Sequence, residues 1–85
     1  WVHDLDHDYI SHLLKQSGER CPLTGEKFVY RSHHPLNISI DRIDNKRGYT
    51  KDNVWIVSTW ANKAKSNLTQ DQFVEFCEKI IKEAA

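Results

Sequence analysis

The chain has 85 residues and a mass of 10.0 kDa, with twelve Lys and Arg against twelve Asp and Glu. This length holds one small domain and excludes a large substrate domain, a repeat array or a long linker. A hydrophobic fraction of 39% beside 28% charged residues fits a globular domain and excludes a disordered tail.

The opening Trp1-Val2-His3-Asp4 lacks the basic start and apolar stretch of a signal peptide. With no Met and a Trp at its first position, the chain is expected to be a trimmed product or a fragment beside a neighbouring domain. Asp6 to Gln16 reads as a helix. Tyr9, Ile10, Leu13 and Leu14 fall at helical spacing, and Asp4 or Asp6 caps the first turn. Gly18 is the expected stop. Cys21-Pro22-Leu23-Thr24-Gly25 is turn chemistry, and Lys27 to Tyr30 reads as a short strand.

Ile38 to Ile43 alternates as a strand does. Asp44 to Tyr49 is a polar loop, and Asn53 to Ser58, rich in Val, Ile and Trp, is a second strand. Its Val54-Trp55-Ile56-Val57 is the longest apolar run, far short of the roughly 20 residues a membrane helix needs. A helix follows from Thr59 to Ser66. Thr69-Gln70-Asp71-Gln72 is a capping box that opens a last helix, with Phe73, Phe76, Cys77, Ile80 and Ile81 on its apolar face.

The two strands are close enough to pair as an antiparallel hairpin with the following helix packed across it. Such a unit does not bury both faces alone, so the terminal helices are expected to cover it. The expected architecture is a single α+β domain over residues 1–85. Its N-terminal helix falls at about 6–17, its core motif at about 21–66 and its C-terminal helix at about 69–83.

The charge balance is a cancellation. Residues 27–65 carry eight Lys and Arg against three Asp, while residues 1–26 and 66–85 each carry an acidic excess. A basic centre between acidic ends points to nucleic acid. Two cysteines, Cys21 and Cys77, form no CxxC and no disulfide framework, which fits reduced thiols inside a cell.

Among the five histidines, His3, His7 and His12 fix no third metal ligand by spacing. Asp4, Asp6 and Asp8 resemble the start of a calcium loop, but Tyr9 and Lys15 stand where its glycine and glutamate belong. His33-His34 is either a general base or loop polarity. The stronger constellation is Asp41-Arg42, Asn53 and Asn62-Lys63-Ala64-Lys65. A carboxylate at a strand end and an amide oxygen on the crossing helix can share a hard cation, leaving its other positions to water and a phosphate. Lys65 lies one turn after Asn62 and, like Arg42, can neutralise phosphate charge.

The order of these motifs carries a resemblance. Cys21-Pro22-Leu23-Thr24-Gly25, Leu36 to Asp44, Gly48-Tyr49-Thr50, Asn53-Val54, Ile56-Val57 and Asn62 to Ser66 together resemble phage-type HNH endonucleases, of the His-Me finger or ββα-metal class. The resemblance covers roughly residues 6–80. It implies a hairpin and helix that pinch one divalent cation, Mg2+ or Mn2+, against a DNA phosphate. By position it makes Asp41 and Asn62 the metal ligands and Asn53 the residue that holds the hairpin loop. Lys65 becomes a basic partner of the phosphate. It makes the Cys21 turn a remnant of a zinc knuckle without its partner cysteines, so structural zinc is not expected.

In this family a general-base His usually follows the metal-binding Asp, and here the residue is Arg42, a poor base. Three accounts stay open. His33 or His34 acts as base; the cation or a substrate phosphate suffices, with Arg42 stabilising the transition state; or the domain binds DNA and cuts slowly or not at all. Arg31, Lys46, Arg47, Lys51 and Lys63 are the expected grips on the DNA backbone, with weak sequence specificity. The setting this implies is the cytoplasm of a bacterial or phage-infected cell, with no membrane partner. The competing readings are a DNA-binding module without catalysis and, below it, a protein-interaction domain.

Overall fold

The structure, a computed structural model, describes residues 5–84. His3 and Asp4, named above as a candidate ligand and cap, lie outside them. The first helix, α1, spans His7–Gln16. Asp6 caps it, its carboxylate accepting the Tyr9 N–H at 2.8 Å. It ends in a Schellman turn. The Glu19 N–H bonds Leu14 O at 2.9 Å and the Gly18 N–H bonds Lys15 O at 3.1 Å, with Gly18 at φ 65°. This left-handed position is where a glycine is favoured.

The Cys21 turn closes through the Gly25 N–H on Cys21 O at 2.7 Å. The strand expected at Lys27 to Tyr30 does not form. Only an isolated bridge, Arg20 to Lys27, is present. The reason lies in where its donors go: Phe28 N–H bonds Glu19 O and Val29 N–H bonds Leu36 O, so no continuous ladder has a partner.

Two strands make the sheet, β1 over Ile38–Arg42 and β2 over Val54–Ser58. They pair antiparallel, with Ser39 opposite Val57, Ile40 opposite Ile56 and Asp41 opposite Trp55. Asn53, expected to start β2, instead closes a short 3-10 turn over Lys51–Asn53. The second helix, α2, spans Thr59–Lys65 and follows β2 without a loop. Ser58 ends the strand and also caps the helix, its hydroxyl accepting the Ala61 N–H. The last helix, α3, spans Gln70–Ala84.

Successive side chains leave a strand on opposite faces, and Ile56 and Val57 are both buried, so β2 is covered on both sides. Helices α1 and α2 pack against it, α2 also against β1. Cys21, Phe28, Ile56, Val57 and Ala61 form the core, and Ile10, Leu13 and Leu14 of α1 pack onto it. Burying each large aliphatic side chain of this kind contributes about 1.5–3 kcal/mol. Burial alone pushes the Cys21 thiol up, but the Ser58 N–H, the Thr24 hydroxyl and the N–H groups of Leu23 and Thr24 together outweigh it and hold the group below the ordinary thiol value. The sulfur thereby joins the turn to the end of β2, accepting the Ser58 N–H at 3.3 Å.

The expectation that both terminal helices cover the hairpin is half met. No residue of α3 is buried, and Phe76, Ile80 and Ile81 stand 54, 52 and 68% exposed. Phe73 and Cys77 alone on its apolar stripe are half-buried, beside Leu23, Leu36 and Trp60. The helix forms because its start is well capped. Thr69 N–H bonds Gln72 Oε1 at 3.0 Å and Gln72 N–H bonds Thr69 Oγ1 at 3.1 Å. Thr69→Ala is therefore expected to cost about 1 kcal/mol, read as a lower helix content and midpoint in thermal unfolding followed by circular dichroism. Among the described residues no helix is long and apolar enough to cross a membrane.

Candidate active site

Ser39 and Asp41 are two apart on β1 and share a face. Asn62 and Lys65, three apart on α2, also share one. The structure lays these two faces together. The Asn62 amide Nδ2 donates to Ser39 Oγ at 2.6 Å, and Lys65 Nζ lies 3.0 Å from Asp41 Oδ2. Trp55, opposite Asp41 in the register, donates its indole N–H to the same Oδ2 at 2.7 Å. Asp41 is 8% exposed and Lys65 2%. A carboxylate and an ammonium this far from water hold together only because each is answered by the other.

Asn53 is 1% exposed and uses its whole amide on the loop that joins the strands. Its oxygen accepts the Asp44 N–H at 2.9 Å, and its Nδ2 donates to Asp44 O and Gly48 O at 3.0 and 2.8 Å. Its own carbonyl accepts the Ile43 N–H at 2.8 Å. Asn45 adds a second tie, donating to Asn67 O beyond α2 at 3.0 Å. Loop and helix end thus border one polar cleft of about 260 Å³, lined by Asp41, Arg42, Tyr49, Asn62 and Lys63 among others.

Both contacts to Asp41 fall on Oδ2, so Oδ1 carries neither. Asn62 spends its NH2 on Ser39 and keeps its amide oxygen. One carboxylate oxygen and one amide oxygen therefore remain at the cleft. Among the described residues no three His, Cys, Asp or Glu side chains gather to hold a metal. This donor set does not suit zinc. Oxygen donors of this kind are those a hard cation such as Mg2+ takes.

Arg42 borders the cleft. Its guanidinium donates to Arg47 O at 3.2 Å and lies 5.2 Å from the centre of the Tyr49 ring. Among the described residues no histidine lines the cleft. His33 is exposed at φ 61°. His34 accepts the Leu36 N–H on Nδ1 at 3.0 Å and lines a different, apolar cavity with Leu36, Trp60 and Phe73. The structure thus does not bring the histidine pair to Asp41.

Of the expected DNA grips, Lys63 lines the cleft, while Lys46, Arg47 and Lys51 are exposed on the loop and 3-10 turn that follow β1. Arg47 pairs with Asp52 at 2.7 Å, and Lys51 lies 5.4 Å from the centre of the Tyr9 ring. The Thr50 hydroxyl, and then Arg47, hold the Asp52 carboxyl below its ordinary value. Arg31 is exposed in the separate loop ahead of β1.

Sequence reasoning missed Trp55 and Ser39 as site residues. The strand register was the signal, since it sets Trp55 across from Asp41. Trp55→Phe keeps the ring and removes the donor. It is expected to lower unfolding stability by about 1.5–3 kcal/mol in urea titrations, the range for a hydrogen bond to a charged group.

The chain is similar to an uncharacterized 29.0 kDa protein from the dda-modA intergenic region of Enterobacteria phage T4. The two are 35% identical over 72 residues, which are 85% of this chain and 28% of that relative. The chain thus spans under a third of the relative's length. No protein-family model matches the chain. No solved structure matches it either.

Proposed function

We propose that this domain is a cation-dependent endonuclease of the HNH type that hydrolyses phosphodiester bonds in DNA. The observation that carries the reading is the cleft itself: a strand-end carboxylate and a helix amide share one polar hollow with Lys63, beside a loop pinned by Asn53. Asp41 and Asn62 would hold the divalent cation through their remaining oxygens. Bound there, such a cation polarises a phosphoryl oxygen and offsets charge on the leaving oxygen. Lys63 meets the backbone phosphates, with Lys46 and Lys51 on the neighbouring loop and turn. Arg42 supplies a fixed positive charge beside the cleft. Contacts of this kind give salt-sensitive binding with little sequence reading.

A similar protein encoded by a phage supports the phage setting. Cys21 and Cys77, both free thiols, support an intracellular one. The test is nicking of supercoiled plasmid with Mg2+ or Mn2+, comparing wild type with Asn62→Ala. The reading expects cation-dependent nicking that Asn62→Ala sharply slows. Equal rates in the two proteins sink it.

A second reading, a DNA-binding module with little or no catalysis, is favoured by Arg42 at the base position and by a cleft that no histidine lines among the described residues. Arg42→His separates the two. A gain of nicking in that variant marks a site that lacks its base, whereas a loss assigns Arg42 to the working site.

A further inference from the structure

The contact between Lys65 and Asp41 is at odds with a basic residue waiting for phosphate. Lys65 Nζ is already on a carboxylate, 3.0 Å from Oδ2, and only 2% of the residue reaches solvent. A divalent cation drawn to Asp41 meets that ammonium on the same carboxyl group, where burial leaves little salt screening. We propose that Lys65 is a tethered cation that holds Asp41 in the free protein and releases it when a DNA phosphate takes its ammonium, so that cation and DNA load the site together. This rests on the nuclease reading of the cleft and names how that site is regulated.

Three features of the site support the exchange. Lys65 is the last residue of α2, and its neighbours Asn62, Lys63 and Ser66 line the cleft together with Asp41, the residue its Nζ touches. An ammonium on a four-carbon stem is a point charge with three rotatable donors, and it can change partners without the planar match an arginine needs. Trp55 supplies the third. Its indole N–H bonds the same Oδ2, so Asp41 keeps a donor when the ammonium leaves. Lys65 is thus a positioning residue that couples two ligands, and the coupling acts equally on each of their affinities.

The test measures Mn2+ binding to the DNA-free domain by electron paramagnetic resonance of the free ion. Lys65→Gln keeps a hydrogen-bond donor near Asp41 and removes the charge. It is expected to bind Mn2+ roughly 5–150-fold tighter than wild type, the usual span of a coupling between sites, while Lys65→Arg stays near wild type. A damaged site loses affinity, so a gain is not the mark of structural harm. Lys65→Met gives the same comparison should Lys65→Gln not fold. Equal or weaker Mn2+ binding in a folded neutral variant overturns the proposal and leaves the nuclease reading standing. Mn2+ binding by neither protein overturns both.

The phosphate half has its own readout. In Mn2+-free buffer, the salt slope of binding to a short duplex is expected to fall by about one in Lys65→Gln, the loss of one phosphate contact. An unchanged slope overturns the exchange.

Discussion

Asn53→Ala is expected to remove about 2–4 kcal/mol of unfolding stability. The side chain makes three hydrogen bonds, to Asp44 N–H, Asp44 O and Gly48 O, from a position 1% exposed. Alanine leaves all three loop groups without that partner, and the loop itself is polar and can reach water, which keeps the cost below a fully buried loss. For a domain of this size the melting midpoint falls by about 8–32 °C, read by calorimetry or circular dichroism. The same change frees the loop that carries Asn45 and Tyr49 along the cleft. Duplex binding should weaken with it, even below the new midpoint.

The second large effect is at Asp41. Asp41→Ala is expected to reduce cation-dependent nicking by roughly 100- to 1,000-fold or more, the loss seen when a fixed group that stabilises transition-state charge is removed. It also strands Lys65, 2% exposed, without its counter-charge, and breaking a buried pair in this way costs about 3–5 kcal/mol. Rate and stability then fall together and cannot be told apart. Asp41→Asn separates them. It too removes the counter-charge of Lys65 but keeps the shape and an acceptor for Trp55, so nicking lost in an Asp41→Asn protein shown to be folded belongs to the site.

Much of the frame was legible in the residues. The Ile38 to Ile43 alternation and the Val- and Ile-rich Asn53 to Ser58 predict two strands, and strands at these places pair antiparallel with α2 directly behind them. The capping box at Thr69 to Gln72 predicts α3, and its reciprocal bonds are present. Asp41 on the first strand and Asn62 on the crossing helix are expected to converge, and both line one cleft.

The errors share a cause. Periodicity reports what a segment prefers locally, not which partner its donors find. Lys27 to Tyr30 has strand residues, but its N–H groups go to Glu19 and Leu36 and no ladder follows. The stripe on α3 reads as core-facing, yet Phe76, Ile80 and Ile81 stay exposed because only its first turns approach the core. His34 stands close to β1 in sequence, but its own loop takes Nδ1 and sets it beside Leu36 and Trp60. Lys65, expected to neutralise phosphate charge, has a partner within the fold that its spacing does not reveal. A side-chain pairing between a helix and a strand depends on crossing geometry, which spacing along the chain does not encode, and here that geometry puts Nζ on Asp41.

The most direct measurement is the nicking of supercoiled plasmid in Mg2+ by wild type and by Asp41→Asn, with circular dichroism confirming that both are folded. The account predicts nicking by wild type that stops on chelation and is reduced by roughly 100-fold or more in Asp41→Asn. Nicking that survives both chelation and the substitution at the wild-type rate would contradict it.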